Sequence, residues 1–85
     1  MKHEQLVRDF FAKNAKAPLP DGEEGLKVHY LDTGLIDSFG IVMMISDFEA
    51  ELGITFSAED MQSYEFQTVG GLIGIIDRLA GSPAA

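Results

Sequence analysis

The chain has 85 residues, 46% of them hydrophobic, no cysteine, and a formal net charge of -8. That length allows one domain whose small core hides about 60–65% of the unfolded surface, with no room for a deep, walled active site. The missing cysteine excludes disulfides and thiolate metal sites; the negative charge opposes nucleic acid and anionic membranes; and no uncharged apolar run approaches the roughly 18–20 residues of a membrane span.

The first segment, "MKHEQLVRDFFAKNAK", is charged throughout and lacks the apolar stretch of a signal peptide, so a cytoplasmic location is expected. Leu6, Val7, Phe10 and Phe11 form a narrow apolar stripe that predicts a first helix over residues 3 to 16. "APLPDGEEGL" stops it, because prolines and glycines do not continue a helix. The connection from 17 to about 36 is long for a domain this size and is expected to hold short hidden structure. Leu26, Val28, Tyr30, Leu31 and Leu35 are expected to pin it to the core.

A second helix is predicted over 38 to 52, with Ile41, Met44, Ile45, Phe48 and Leu52 on its core face and Gly53 as its stop. "ITF" follows as an extended link. Ser57 then opens a short third helix over 58 to 64 through the capping box "SAED". Thr68 caps the last helix, 69 to about 80, whose apolar face is Val69, Leu72, Ile73, Ile76 and Leu79. Gly70, Gly71 and Gly74 each cost about 1 kcal/mol against alanine. The Gly70–Gly74 spacing suits close packing against a neighbouring helix. "GSPAA" is expected to fray. The sum is an all-α domain, a small bundle of three or four helices with a core over about 3–80.

No catalytic constellation stands out. His3 and His29 lack the spacing of a metal pair, and "LIDSF" lacks the glycines of a nucleophile elbow, although His29 as a base for Ser38 stays open. The carboxylates read as scattered, solvated surface charge. Their distribution is uneven: no lysine or arginine lies between Lys27 and Arg78, while that interval holds nine acids. Such a surface steers towards basic partners.

Attention falls on "GLIDSFGIVMM" and on Ser38. A serine before a helix is a favoured N-cap, worth roughly 1 kcal/mol. It is also an exposed hydroxyl at the positive end of a helix dipole, where an esterified phosphate is favoured. Phe39, Val42 and Met43 lie opposite or beside the core face, where a solvated helix carries Lys or Glu. An apolar cluster there suggests a contact site, unless the long loop covers it. Gly40 is expected to let another chain approach the serine.

"LIDSFGIVMMISDFEAELGITFSAED" and "TVGGLIGIIDRL" together resemble an acyl carrier protein over roughly residues 34 to 80. Asp37-Ser38-Phe39 matches the family's Asp-Ser-Leu tripeptide, with phenylalanine for leucine, and Thr68-Val69 matches the start of its fourth helix. The resemblance implies that Ser38 carries 4'-phosphopantetheine, transferred from coenzyme A by a separate phosphopantetheinyl transferase. Asp37 would help position that machinery and its magnesium. It implies a carrier that is not an enzyme, with acyl or aminoacyl groups held as thioesters and presented to loading ligases and acyl-processing enzymes. Docking would use the second helix, with Phe39, Val42, Met43, Asp47 and Glu49, and Met61 nearby. Val42, Ile54 and Met61 would line any space for a folded-back acyl chain.

A monomer is expected. Uncharged Met43 and Ala50 stand where fatty acid carriers usually have acids, and "GLIDSFG" is similar to D-alanyl and peptidyl carriers. The readings set against the carrier are an unmodified helical interaction module, in which Ser38 is only a cap, and a hydrolase built on Ser38 and His29.

Overall fold

The computed structural model describes residues 2–81, within which five α-helices and one 3₁₀ turn follow one another. They are α1 (Glu4–Asn14), α2 (Glu23–Leu26), α3 (Ser38–Leu52), α4 (Ala58–Gln62), the turn Tyr64–Gln67 and α5 (Val69–Gly81). The chain is all-α as expected, and one isolated antiparallel bridge, His29 to Thr68, is the strand-like pairing among the described residues. Of the predicted frayed tail, Gly81 is still helical and the rest lies outside the described residues.

Three of the helix ends have identifiable causes. Alpha-1 ends short of residue 16 because Ala15 is extended (φ -79°, ψ 157°) and Lys16 N–H donates to the carbonyl of Leu35 at 3.0 Å. The chain is thereby drawn towards the residues that precede α3. At the end of α3, Gly53 takes φ 65° and donates to the carbonyl of Glu49, a left-handed stop that glycine adopts without a side-chain penalty. The predicted capping box is present: Asp60 N–H donates to Ser57 Oγ at 3.0 Å and Ser57 N–H donates back to Asp60 Oδ2 at 3.1 Å. Alpha-4 then stops at Gln62, earlier than residue 64, because Ser63 is extended (ψ 155°) and its hydroxyl donates to Asp60 O.

The long connection is held at several points. Alpha-2 is the hidden element. Arg8 of α1 reaches across to it, donating to the carbonyls of Pro20 at 3.2 Å and Gly22 at 2.8 Å. Tyr30 is fully buried, its hydroxyl donates to the carbonyl of Phe66, and burial holds its own pKa far above the ordinary tyrosine value. Its ring meets Phe11 and Phe66 edge-on, at 5.5 and 6.1 Å. Leu26, Val28 and Leu35 are partly buried as expected, but Leu31 is exposed. The turn explains it: Thr33 N–H bonds back to His29 O and Gly34 N–H to Leu31 O, which tips Leu31 outward.

The core gathers Val7, Phe10 and Phe11 of α1, Met44 and Phe48 of α3, Ile54 and Phe56 of the link, and five residues of α5. Alpha-5 packs on α1, α2 and the 3₁₀ turn, so its apolar face is wider than a single stripe, and Ile75 is buried as well. Two of its glycines permit the approach. A Cβ on Gly70 would lie 3.0 Å from Leu26 O, and one on Gly71 would collide with Glu65 O. Gly74 faces open space, so the Gly70–Gly74 spacing does not act as a pair.

Not all carboxylates are solvated. Asp60 is buried, and Arg78 donates to its Oδ1 at 2.5 Å. Arg78 and the Ser57 backbone hold the Asp60 carboxyl below the usual range despite its burial. For Asp77, burial opposes ionisation, but the His3 ring and the N–H groups of His3 and Lys2 outweigh it, so its pKa is also lowered.

Two outcomes follow from these contacts. Tyr30→Phe leaves the Phe66 carbonyl unpaired in the core and is expected to cost about 1–3 kcal/mol in urea unfolding. Because the folded pKa values of Asp60 and Asp77 are depressed, their contribution to stability is complete above roughly pH 4 and is lost as pH falls from there through the folded values. Asp60→Asn is expected to lower stability at neutral pH and to flatten the acid limb of the stability curve.

Candidate functional site

The start of α3 is fixed from both sides. Ile36 is buried and its N–H donates to Tyr30 O at 3.2 Å, while Leu35 O accepts from Lys16. The backbone is thus anchored up to the residue before Asp37. Asp37 is extended (φ -87°, ψ 179°) and is the N-cap of α3. Its Oδ1 accepts from Gly40 N–H at 2.8 Å, and its carbonyl accepts from Ile41 N–H at 3.0 Å. Ser38 is the first helical residue and is exposed.

The expectation that Ser38 caps the helix is therefore corrected. The acid one position earlier does so, since its carboxylate reaches the third residue of the helix and carries the charge that the helix dipole favours. The serine hydroxyl is left without a hydrogen bond to the chain among the described residues. Gly40 also has a different reason from the one expected. A Cβ there would lie 2.7 Å from Ile36 Cγ2 and 3.4 Å from Asp37 Oδ1, so glycine serves the chain's own tight turn into α3.

Around the serine the surface is open. Phe39 is 73% exposed, Val42 65% and Met43 41%, so the long loop does not cover them. Met61 of α4 is exposed too. Asp47 is exposed, whereas Glu49 is half-buried and its Oε2 accepts from Phe56 N–H at 2.9 Å. Glu49 thus fastens the link after α3. Ile54 is in the core while Val42 and Met61 face outward, so these three do not share one environment. Sequence reasoning passed over Tyr64 and misjudged Leu31, both exposed apolar side chains. Nothing in their local pattern marks them, because each is turned outward by the turn it sits in.

His29 is not placed as a base. Its backbone bridges Thr68, its Nδ1 lies 3.6 Å from Asp32 Oδ2, and no hydrogen bond joins it to Ser38.

The arrangement is an exposed primary hydroxyl on the first turn of a fifteen-residue helix, beside a carboxylate and an uncovered apolar cluster. That geometry suits a phosphodiester: the ester oxygen is accessible, and the free N–H groups of the helix start favour a negative charge. The family described as phosphopantetheine attachment site matches the chain over residues 5–76. The chain belongs to this family, that of the acyl carrier proteins, whose domain is the attachment site for covalently bound 4'-phosphopantetheine. Neither the curated proteins nor the solved structures gave a significant match.

The corrected cap is open to measurement. Asp37→Ala is expected to lower stability by about 0.5–2 kcal/mol, and Ser38→Ala to change it by less than about 0.5 kcal/mol. Thermal unfolding followed by circular dichroism compares the two, and the reverse order would restore Ser38 as the cap.

Proposed function

We propose that the chain is a carrier whose attachment point is Ser38. The observation that supports it best is the free, exposed Ser38 hydroxyl at the start of α3, with Asp37 holding the helix end and Phe39, Val42 and Met43 uncovered beside it. The serine oxygen forms an ester to the phosphate nearest the pantetheine of coenzyme A. The pyrophosphate bond breaks, adenosine 3',5'-bisphosphate leaves, and the hydroxyl proton passes to the transferase. When bound, the group supplies a thiol on a long tether, which the cysteine-free chain lacks. The protein itself catalyses nothing in this reading. It is a cytoplasmic monomer that presents acyl or aminoacyl thioesters to partner enzymes.

Exposed Asp37 would sit where the transferase brings coenzyme A and magnesium. Phe39, Val42, Met43 and Met61 form the apolar part of the docking face, and Asp47 adds charge to it. Glu49 is a weaker contact, since its carboxylate is held by Phe56. Uncharged Met43 and Ala50 make this face more apolar than that of fatty acid carriers, which favours an aminoacyl or other specialised cargo loaded by a dedicated ligase.

Intact-protein mass spectrometry tests the reading. After incubation with coenzyme A and a broad-specificity transferase, the chain is expected to gain the mass of one phosphopantetheinyl group, and Ser38→Ala to gain none. No gain by the wild-type chain would leave an unmodified interaction module; a gain by Ser38→Ala would move the attachment to another residue.

A further inference from the structure

Ile36 stands immediately before the Asp37 cap, and Gly40 is the third residue of α3. Ile36 is buried in the core, and its N–H is tied to Tyr30 O at 3.2 Å, so its backbone has little room to retreat. On the helix side, Gly40 N–H donates to Asp37 Oδ1 at 2.8 Å and Ile41 N–H to Asp37 O at 3.0 Å. These bonds hold the first turn of α3 against the residue that precedes it. No space is left between them: a Cβ on Gly40 would come 2.7 Å from Ile36 Cγ2 and 3.8 Å from Ile36 Cβ. Carbon atoms in good contact lie about 3.5–4.0 Å apart. The methyl in the way belongs to a β-branched side chain that is stiff at χ1 and packed on its other sides. Gly40 does not have a positive φ, so the glycine is needed for space and not for backbone freedom. A side chain at position 40 is therefore accommodated by a shift of the first turn, and that turn carries Ser38.

We infer that Gly40 is a positioning residue for phosphopantetheinylation: the side chain it lacks lets Ile36 set the direction in which α3 holds the Ser38 hydroxyl. This rests on Ser38 being the attachment point. In the transfer the serine oxygen bonds to phosphorus as the pyrophosphate bond breaks. Adenosine 3',5'-bisphosphate leaves, and the hydroxyl proton goes to the transferase. The attacking oxygen has to lie in line with the bond that breaks, and an error of about 1 Å costs on the order of a hundredfold in rate. Docking spreads over Phe39, Val42 and Met43 and depends less on a small shift. The chemical step is the one that suffers, so kcat falls more than KM rises.

The test follows the mass gain of the full chain with coenzyme A and a broad-specificity transferase, as initial rates over a range of carrier concentrations. Gly40→Ala is expected to lower kcat at least about tenfold and to change KM by less than about threefold. Gly74→Ala makes the same change in α5, where a Cβ meets open space, and is expected to keep the wild-type rate. Ile36→Leu moves the branch away from Cβ at equal volume. In that background Gly40→Ala is expected to lower kcat less than about threefold. Unchanged circular dichroism spectra would show that the variants fold. Hydrogen exchange needs no transferase. It is expected to quicken at the amides of residue 40 and Ile41 in Gly40→Ala and to recover in the double variant.

A wild-type kcat in Gly40→Ala overturns the inference and leaves the attachment reading intact. So does a loss that Ile36→Leu fails to relieve, and so does unaltered exchange in Gly40→Ala. No mass gain by the wild-type chain defeats the attachment reading itself, and this inference with it.

Discussion

Tyr30 is the point on which the rest of the molecule depends. It lies in the middle of a connection with little regular structure, yet it is fully buried. Its hydroxyl binds the Phe66 carbonyl, its ring contacts Phe11 and Phe66, and its carbonyl accepts from Ile36. One residue thus links α1, the turn before α5 and the residues leading into α3. A polar group placed so deep has to find a partner, and this one closes the long loop onto the core by doing so. Without that closure the start of α3 would keep only the anchor that Lys16 N–H makes on Leu35 O.

The consequence is a rigid presentation of a helix end. Ile36 is held inside, Asp37 is spent on the helix, and the next side chain, Ser38, is left pointing to solvent with nothing to do within the fold. The chain has no cysteine, and no acid–base pair is assembled at this serine among the described residues. It serves chemistry by holding a group where enzymes reach it, which is the character of the carrier family to which the chain belongs. In a carrier, rigidity at the attachment end and mobility in the attached group are complementary requirements.

Charge is divided along the chain to match. Between Lys27 and Arg78 there is no cation, and Arg78 itself is taken up by Asp60. Asp77 is likewise occupied, by the N-terminal residues. The acids that serve stability are therefore those paired inside the fold, while Asp47 and Glu51 remain on the surface with their fields uncompensated. Surface acids of that kind stabilise little by themselves and act on encounter with basic partners.

How much of this the amino-acid order determined follows from the range of each interaction. The span of α3, the glycine stop at Gly53, the Ser57–Asp60 capping box and the Thr68 cap were all legible, because each depends on residues within four positions. That Phe39, Val42 and Met43 lie off the core face was legible from periodicity for the same reason, whereas the structure decided that the long loop leaves them uncovered. What only the tertiary structure decided was set by distant parts of the chain. Leu35 and Ile36 are anchored by Lys16 and Tyr30, which places the helix boundary so that Asp37, rather than Ser38, is the cap. Burial of Asp60 against Arg78 and the wide buried face of α5 likewise depend on neighbours that local pattern does not contain, whereas Leu31 is turned outward by bonds within its own turn.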